Sequence, residues 1–364
     1  MENIPYFDFS SFPLNSENIL NQIELSAGKE FNSIFINFGE FFPWSEDTVS
    51  NSKFAYSDKL IDKIVNICNA NNVNLIPVIS VLINCDFILK NKKYKYLLNE
   101  GLLHNGLDIS SCGAVKLLEQ LIDDIFSLTL SSNYLLLEFP VITNKESKGN
   151  IVELINPLIN RLTEHLLTMN KSLIIGWNKN KQTNELKYYF KKNKVILMNY
   201  FKTYPVRKGK YYNIDINDFS VKIKGIEYTV SKFSGTDCFI GNLNIGNFIL
   251  SGFNKDEYTK ILDILDSFYL ILNSIWDYIR ISWENLSFFY NNIETVPRLQ
   301  FIRSVHLLKQ KYINFEDERI SAFNIFENYF QPGFFKNWMD GKSNSIINQI
   351  NILESIARQM SDGQ

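Results

Sequence analysis

The sequence is poor in the residues that usually announce chemistry. Its four cysteines, Cys68, Cys85, Cys112 and Cys238, are widely scattered and show no CxxC spacing. They frame neither a zinc site nor a disulfide network, so they read as reduced core thiols. The three histidines, His104, His165 and His306, have no HxH or HxxxH neighbour, and no metal is expected. Charge of one sign is also missing, with 37 Lys+Arg against 39 Asp+Glu. That balance gives no electrostatic case for nucleic acid or an anionic membrane. No apolar run is long enough to span a bilayer; the best, Phe268 to Ile275, is short and interrupted by Asn273. The opening MENIPYFDFSS lacks a basic start followed by an apolar run, so the expected location is cytoplasmic.

What is present is ample core material: 45% hydrophobic residues and 14% aromatic, with 29 Phe and 18 Tyr. Strand and helix signals alternate. Ser33 to Phe38 is strand-like, and Ser57 to Cys68 carries a helical stripe with Ser57 as N-cap. Val73 to Ile79 is the next strand, with Pro77 tolerable near a strand end. Val115 to Leu128 and Ile151 to Met169 are amphipathic helices, and between them Tyr134 to Phe139 is a short buried strand stopped by Pro140. Leu173 to Gly176 and Val195 to Asn199 follow as strands.

This alternation predicts βαβ units around a parallel sheet, and the repeat length favours an α/β fold of the (β/α)8 TIM-barrel type over an open sheet. No GxGxxG follows the first strand to suggest a nucleotide crevice, and no cofactor is expected.

Val221 to Val230 alternates like a hairpin, and Phe248 to Ser251 is the expected closing strand. From Asp256 the pattern becomes nearly continuous helix, through Ile279, Leu286 to Lys311, Glu316 to Tyr329 and Ser345 to Met360, with a break at Gln331-Pro-Gly333. The expected division is a barrel over 1–280 and a helical C-terminal extension over 281–364 packed on it.

Three stretches resemble the catalytic domain of family 20 glycoside hydrolases, the β-N-acetylhexosaminidases. Phe35 to Trp44, followed by Tyr56-Ser-Asp-Lys-Leu60, looks like the family's second strand and its acidic-aromatic loop. Asn71 to Lys90 looks like the third strand and the loop behind it. Ser131 to Ile142 looks like the fourth strand, which in the family ends in an H-x-G-x-D-E motif.

The resemblance implies an aspartate that orients the substrate's acetamido group and a glutamate that protonates the leaving oxygen. Those positions fall on Pro140 and Val141, which can do neither. The family's histidines fall on Leu136 and Asn84, and where it has a sugar-binding arginine this chain offers Phe7 and Asp8. Trp177 matches a family tryptophan, but Asn178 and Lys179 replace the acidic residue after it. An alignment shifted by two residues would put Glu138 in the aspartate's place.

Catalytic residues of a parallel barrel lie at the C-terminal ends of its strands. Three carboxylates are candidates there. Glu138 reads as a displaced acid/base or, by default, as a solvated or salt-bridged loop carboxylate. Glu40, beside Phe41, Phe42 and Trp44, suits a sugar-binding lip or an aromatic cap. Asp86 lines the mouth with Asn84 or caps the helix starting at Phe87. Trp177 and Tyr200 stack on a sugar face or fill the core. Arg207 to Lys210 with Tyr211 and Tyr212 reads as a solvated loop.

Three functions follow: a hexosaminidase-like pseudoenzyme that binds a glycan, or a glycosylated or peptide partner; a glycosidase or altered-chemistry enzyme using Glu40, Asp86 or Glu138; and an interaction scaffold for a neighbouring modifying enzyme. Surplus aromatics at Trp276, Tyr278, Trp283, Phe288, Phe289 and Tyr290 suggest a homodimer surface on the C-terminal helices.

Overall fold

The computed structural model describes residues 2–10, 13–28, 31–46, 48–49, 52–80, 86–89, 91–98, 107–138, 151–177, 195–207, 213–224, 226–234, 243–245, 248–250, 255–292 and 295–362. They form two compact units, Met1–Pro205 with Asp215–Gly252, and Val206–Ile214 with Phe253–Gln364.

The first unit is a closed eight-stranded barrel. Its strands are β1 (Glu2–Asp8), β2 (Ser33–Asn37), β3 (Asn74–Ser80), β4 (Tyr134–Glu138), β5 (Ser172–Trp177), β6 (Ile196–Arg207), β7 (Asn213–Ile223) and β8 (Ile226–Ser234). Helices α1 (Ser16–Ala27), α2 (Asp58–Ala70), the single turn α3 (Asp86–Leu89), α4 (Cys112–Leu128) and α5 (Ile151–Thr168) alternate with the first five strands. β1 to β6 run parallel, and β8 returns parallel to β1.

The βα rhythm that the sequence carries is therefore real, and the architecture is an α/β barrel of the TIM type. It departs from eight identical units at the closure. β7 pairs antiparallel with β8, so the alternation from Val221 to Val230 is indeed a hairpin and β7 alone runs backwards.

The expected closing strand is corrected. Phe248–Leu250 pairs antiparallel with Leu243–Ile245 in a separate two-stranded sheet. The barrel is closed by β8, whose Tyr228 to Ser234 pair with all seven residues of β1. A three-residue strand cannot supply that ladder. Two elements without a counterpart in the sequence reading are β1 and α1, the latter capped by Asn15, whose side chain accepts from the Asn18 amide at 2.8 Å.

Parallel strands buried on both faces need apolar residues at successive positions. Ile34, Phe35 and Ile36, and Leu135, Leu136 and Leu137, are all buried. One set faces the interior, where Ile4, Tyr6, Phe35, Ile76, Val78 and Leu136 join Ile174, Met198 and Val230 in a single cluster. The other set meets the apolar stripes of the helices, such as Leu60, Ile61 and Ile64 of α2 and Leu118, Leu121 and Ile122 of α4. Pro77 lies mid-strand, at the changeover where pairing to β2 ends and pairing to β4 begins at Val78. Its missing N–H costs little there.

The second unit contains three long helices, α6 (Lys255–Asn292), α7 (Thr295–Phe326) and α8 (Phe334–Asp362). The breaks expected between 280 and 285 and between 312 and 315 are absent, because no Gly or Pro interrupts either run. Position 280, where the chain was divided, lies inside α6. The break at Gln331-Pro-Gly333 is present, with Gly333 at φ 74. Phe268, Phe301, Phe315 and Met339 are buried within this unit. No helix among the described residues is long and apolar enough to cross a membrane.

Leu136 is 0% exposed in the barrel interior. Leu136→Ala should lower stability by about 2–5 kcal/mol in denaturant unfolding, the usual cost of a buried leucine that cannot be refilled. A loss below about 1 kcal/mol would mean that the interior is not close-packed.

Candidate functional site at the barrel mouth

Strand alternation carries each inward series up to the C-terminal rim. After Ile4 and Tyr6 comes Asp8; after Phe35, Asn37; after Ile76 and Val78, Ser80; after Tyr134 and Leu136, Glu138; after Tyr228 and Val230, Lys232. The apolar filling of the barrel thus ends in a polar layer, at the end where barrel enzymes place their chemistry.

The layer is organised by Lys232. Its ammonium meets Asp8 Oδ2 at 3.0 Å and Glu138 Oε1 and Oε2 at 2.8 and 3.1 Å. It also lies 4.7 Å from the centre of the Tyr6 ring, within cation–π range. The Tyr6 hydroxyl donates to Glu138 Oε2 at 2.9 Å, and the Ser80 hydroxyl donates to the same oxygen at 3.2 Å. Asn37 donates through Nδ2 to Ser80 Oγ at 3.3 Å. Asp8 uses its second oxygen to accept from the Ser10 amide at 3.1 Å and its hydroxyl at 2.6 Å. The side chains of Asp8 and Lys232 are each 17% exposed, and that of Glu138 11%.

Burial, and then the nearby Glu138 carboxylate, push the Tyr6 phenol well above its ordinary 10.0. For Lys232, burial pulls the ammonium down, but Asp8 and Glu138 outweigh it and hold the group well above 10.5. The lysine is a fixed cation, the opposite of the depressed amine that nucleophilic catalysis needs.

Next to the layer, Gly39 brings the loop after β2 against the loop after β1. Its φ is 52, and a Cβ there would stand 2.5 Å from that of Ser10. The Gly39 amide donates to Asn37 Oδ1 at 3.0 Å, tying this turn to the polar layer.

Glu138 is thus an inward residue at the end of β4, engaged in an ion pair. Glu40 lies half-buried in the 3-10 turn Gly39–Phe41. Trp44 is 4% exposed, and its indole N–H donates to the Gly39 carbonyl at 3.0 Å. It packs on Phe42 with ring centres 4.6 Å apart, so it braces this loop and offers no open face for stacking. Asp86 begins the single turn α3, and Trp177 and Tyr200 lie in β5 and β6; the side chains of all three lie outside the described residues, as do Asn84, Pro140 and Val141. The basic cluster at 207–212 has only the backbone of Arg207 described. His165 meets Asp123 at 2.8 Å and His306 meets Gln310 at 3.1 Å.

Tyr6, Asn37, Ser80 and Lys232 were not singled out from the sequence. Their signal is the continued alternation: a polar residue two positions beyond an apolar inward series.

No family model and no curated protein matches the sequence. Solved structures do. A family 20 chitobiase from Flavobacterium johnsoniae is 12% identical, with all of this chain matched to 75% of that one at a TM-score of 0.49. A family 20 exo-β-N-acetylglucosaminidase from Vibrio harveyi is 12% identical over 55% of this chain and 38% of its own, with a TM-score of 0.42. A β-N-acetylhexosaminidase from Bacteroides fragilis is 12% identical over 56% of this chain and 50% of its own, with a TM-score of 0.41. The match thus spans half or less of the length of the last two.

Lys232→Ala would leave two carboxylates facing each other without their cation, and should cost about 3–5 kcal/mol in denaturant unfolding, whereas Glu138→Gln should cost less. A Lys232→Ala protein as stable as the parent would show that the triad is not load-carrying. Tyr6 and Lys232 both hold their protons to higher pH when folded than when unfolded. The stability linked to them is present below about pH 10 and is lost as pH rises, because the unfolded chain releases its protons first. The unfolding midpoint should fall above about pH 10, and less steeply in Tyr6→Phe. A midpoint that rises in that range would contradict this sign.

Proposed function

We propose that the protein is a hexosaminidase-like barrel that binds a glycan at its C-terminal mouth and does not hydrolyse it. The observation that carries this reading is the state of Glu138. Its oxygens accept from Lys232, Tyr6 and Ser80, so both are engaged as acceptors inside the barrel mouth. Glycoside cleavage requires a carboxylic acid beside the leaving oxygen and a second group that steadies the developing positive charge. Lys232 places a fixed positive charge beside the carboxylate and disfavours a second one. The sequence beyond β4 supplies Pro140 and Val141 where the resemblance implies the acid pair. Carboxylates, hydroxyls and an amide gathered over an apolar floor are nevertheless the group types that recognise sugar hydroxyls.

A second reading, an enzyme with altered chemistry, draws on the placement of Glu138 at the inward C-terminal end of β4. Turnover of a chromogenic β-N-acetylglucosaminide and its galacto-isomer, at high protein concentration beside Glu138→Gln, separates the two. The binding reading expects no turnover by either protein and measurable calorimetric binding of an N-acetylhexosamine oligosaccharide by the parent. Hydrolysis that disappears in Glu138→Gln would overturn it and make Glu138 a working acid or base.

A further inference from the structure

Helix α7 is apolar on two opposite faces. Phe301, Val305, Leu308, Phe315 and Ala322 are buried on one side. On the other, Leu299, Ile313 and Ile320 are 62, 64 and 53% exposed. With Arg303, His306, Gln310 and Asp317 between them, they fall on one stripe with alternating spacings of four and three, the spacing of a helix that meets another helix; His306 and Gln310 touch within it at 3.1 Å. A helix with apolar residues on both sides belongs between two layers, and among the described residues only the inner side is covered.

We propose that this outer face is a homodimer interface in which α7 packs antiparallel against α7 of a second copy, with the two-fold axis at Gln310. The charges select this occupant. Arg303 and Asp317 are equally spaced about Gln310, and neither has a side-chain partner among the described residues. They lie fourteen positions apart on one helix, about 21 Å at 1.5 Å per residue, so they cannot pair within one chain. An antiparallel two-fold pairing brings each Arg303 to Asp317 of the other copy, twice, as an isologous interface demands. It also sets Ile313 against Leu307, itself 36% exposed. A parallel pairing would oppose Arg303 to Arg303 and Asp317 to Asp317, which the charges reject.

The test uses the whole chain in analytical ultracentrifugation. The parent should be a dimer, Arg303→Glu and Asp317→Arg should each weaken it about tenfold or more, and the double reversal should restore it. In a Cys112→Ser background, which removes an exposed native thiol, Gln310→Cys should form an intermolecular disulfide on oxidation. Leu299→Cys should not, because its two copies would be about 33 Å apart along the paired helices. Unchanged helical circular dichroism in each variant keeps a loss of dimer from being a loss of fold. A monomeric parent, a dimer indifferent to the single reversals, no restoration by the double reversal, or no cross-link at position 310 would overturn the proposal.

Discussion

Lys232 is the charge on which the mouth of the barrel depends. Two carboxylates from strands far apart in sequence, Asp8 of β1 and Glu138 of β4, converge on its ammonium. In a site this sheltered, each would be costly alone, and the lysine is what lets both remain there. The hydroxyls of Tyr6 and Ser80 complete the shell of Glu138, and Asn37 holds Ser80. Five of the barrel's strands are thereby fastened at one end by one polar network.

The geometry follows from the barrel. A strand's inward residues recur at every second position, so the identity of the rim residue is fixed once the core positions below it are fixed. Lys232 reaches the rim because the hairpin with β7 delivers β8 parallel to β1, with Tyr6 level with Lys232. Opposite Glu138 on β5 stands Gly176, where a Cβ would lie 3.3 Å from the Met198 methyl. Small size there lets Met198 fill the interior below the polar layer.

The first half of the barrel was legible because its strands and helices have clean periods. The segments read over Ser33 to Phe38, Ser57 to Cys68 and Tyr134 to Phe139 fold as Ser33–Asn37, Asp58–Ala70 and Tyr134–Glu138. β1 was not legible, since Glu2 to Asp8 contains Pro5 and has no turn signal before it, and its seven residues gain a strand conformation only from pairing on both sides. The closing strand was misplaced because short apolar runs such as Phe248–Leu250 satisfy a local pattern without revealing their partner. Of the site, Glu138 was visible as an acid at a strand's end, but its role was not. That role is set by Lys232, 94 residues away, and a contact of such separation leaves no local trace. The absence of Pro and Gly between 280 and 285 and between 312 and 315 was the information that should have removed those two expected breaks.

The most direct measurement is a double-mutant cycle on unfolding with Lys232→Met, Glu138→Leu and the pair of changes together. If the mouth is a closed structural triad, the two sites should be coupled by more than about 1 kcal/mol, with the double variant more stable than the sum of the single losses predicts. Effects that add to within about 0.5 kcal/mol would contradict the account. They would mean that Glu138 stands independently of Lys232 and is available for chemistry.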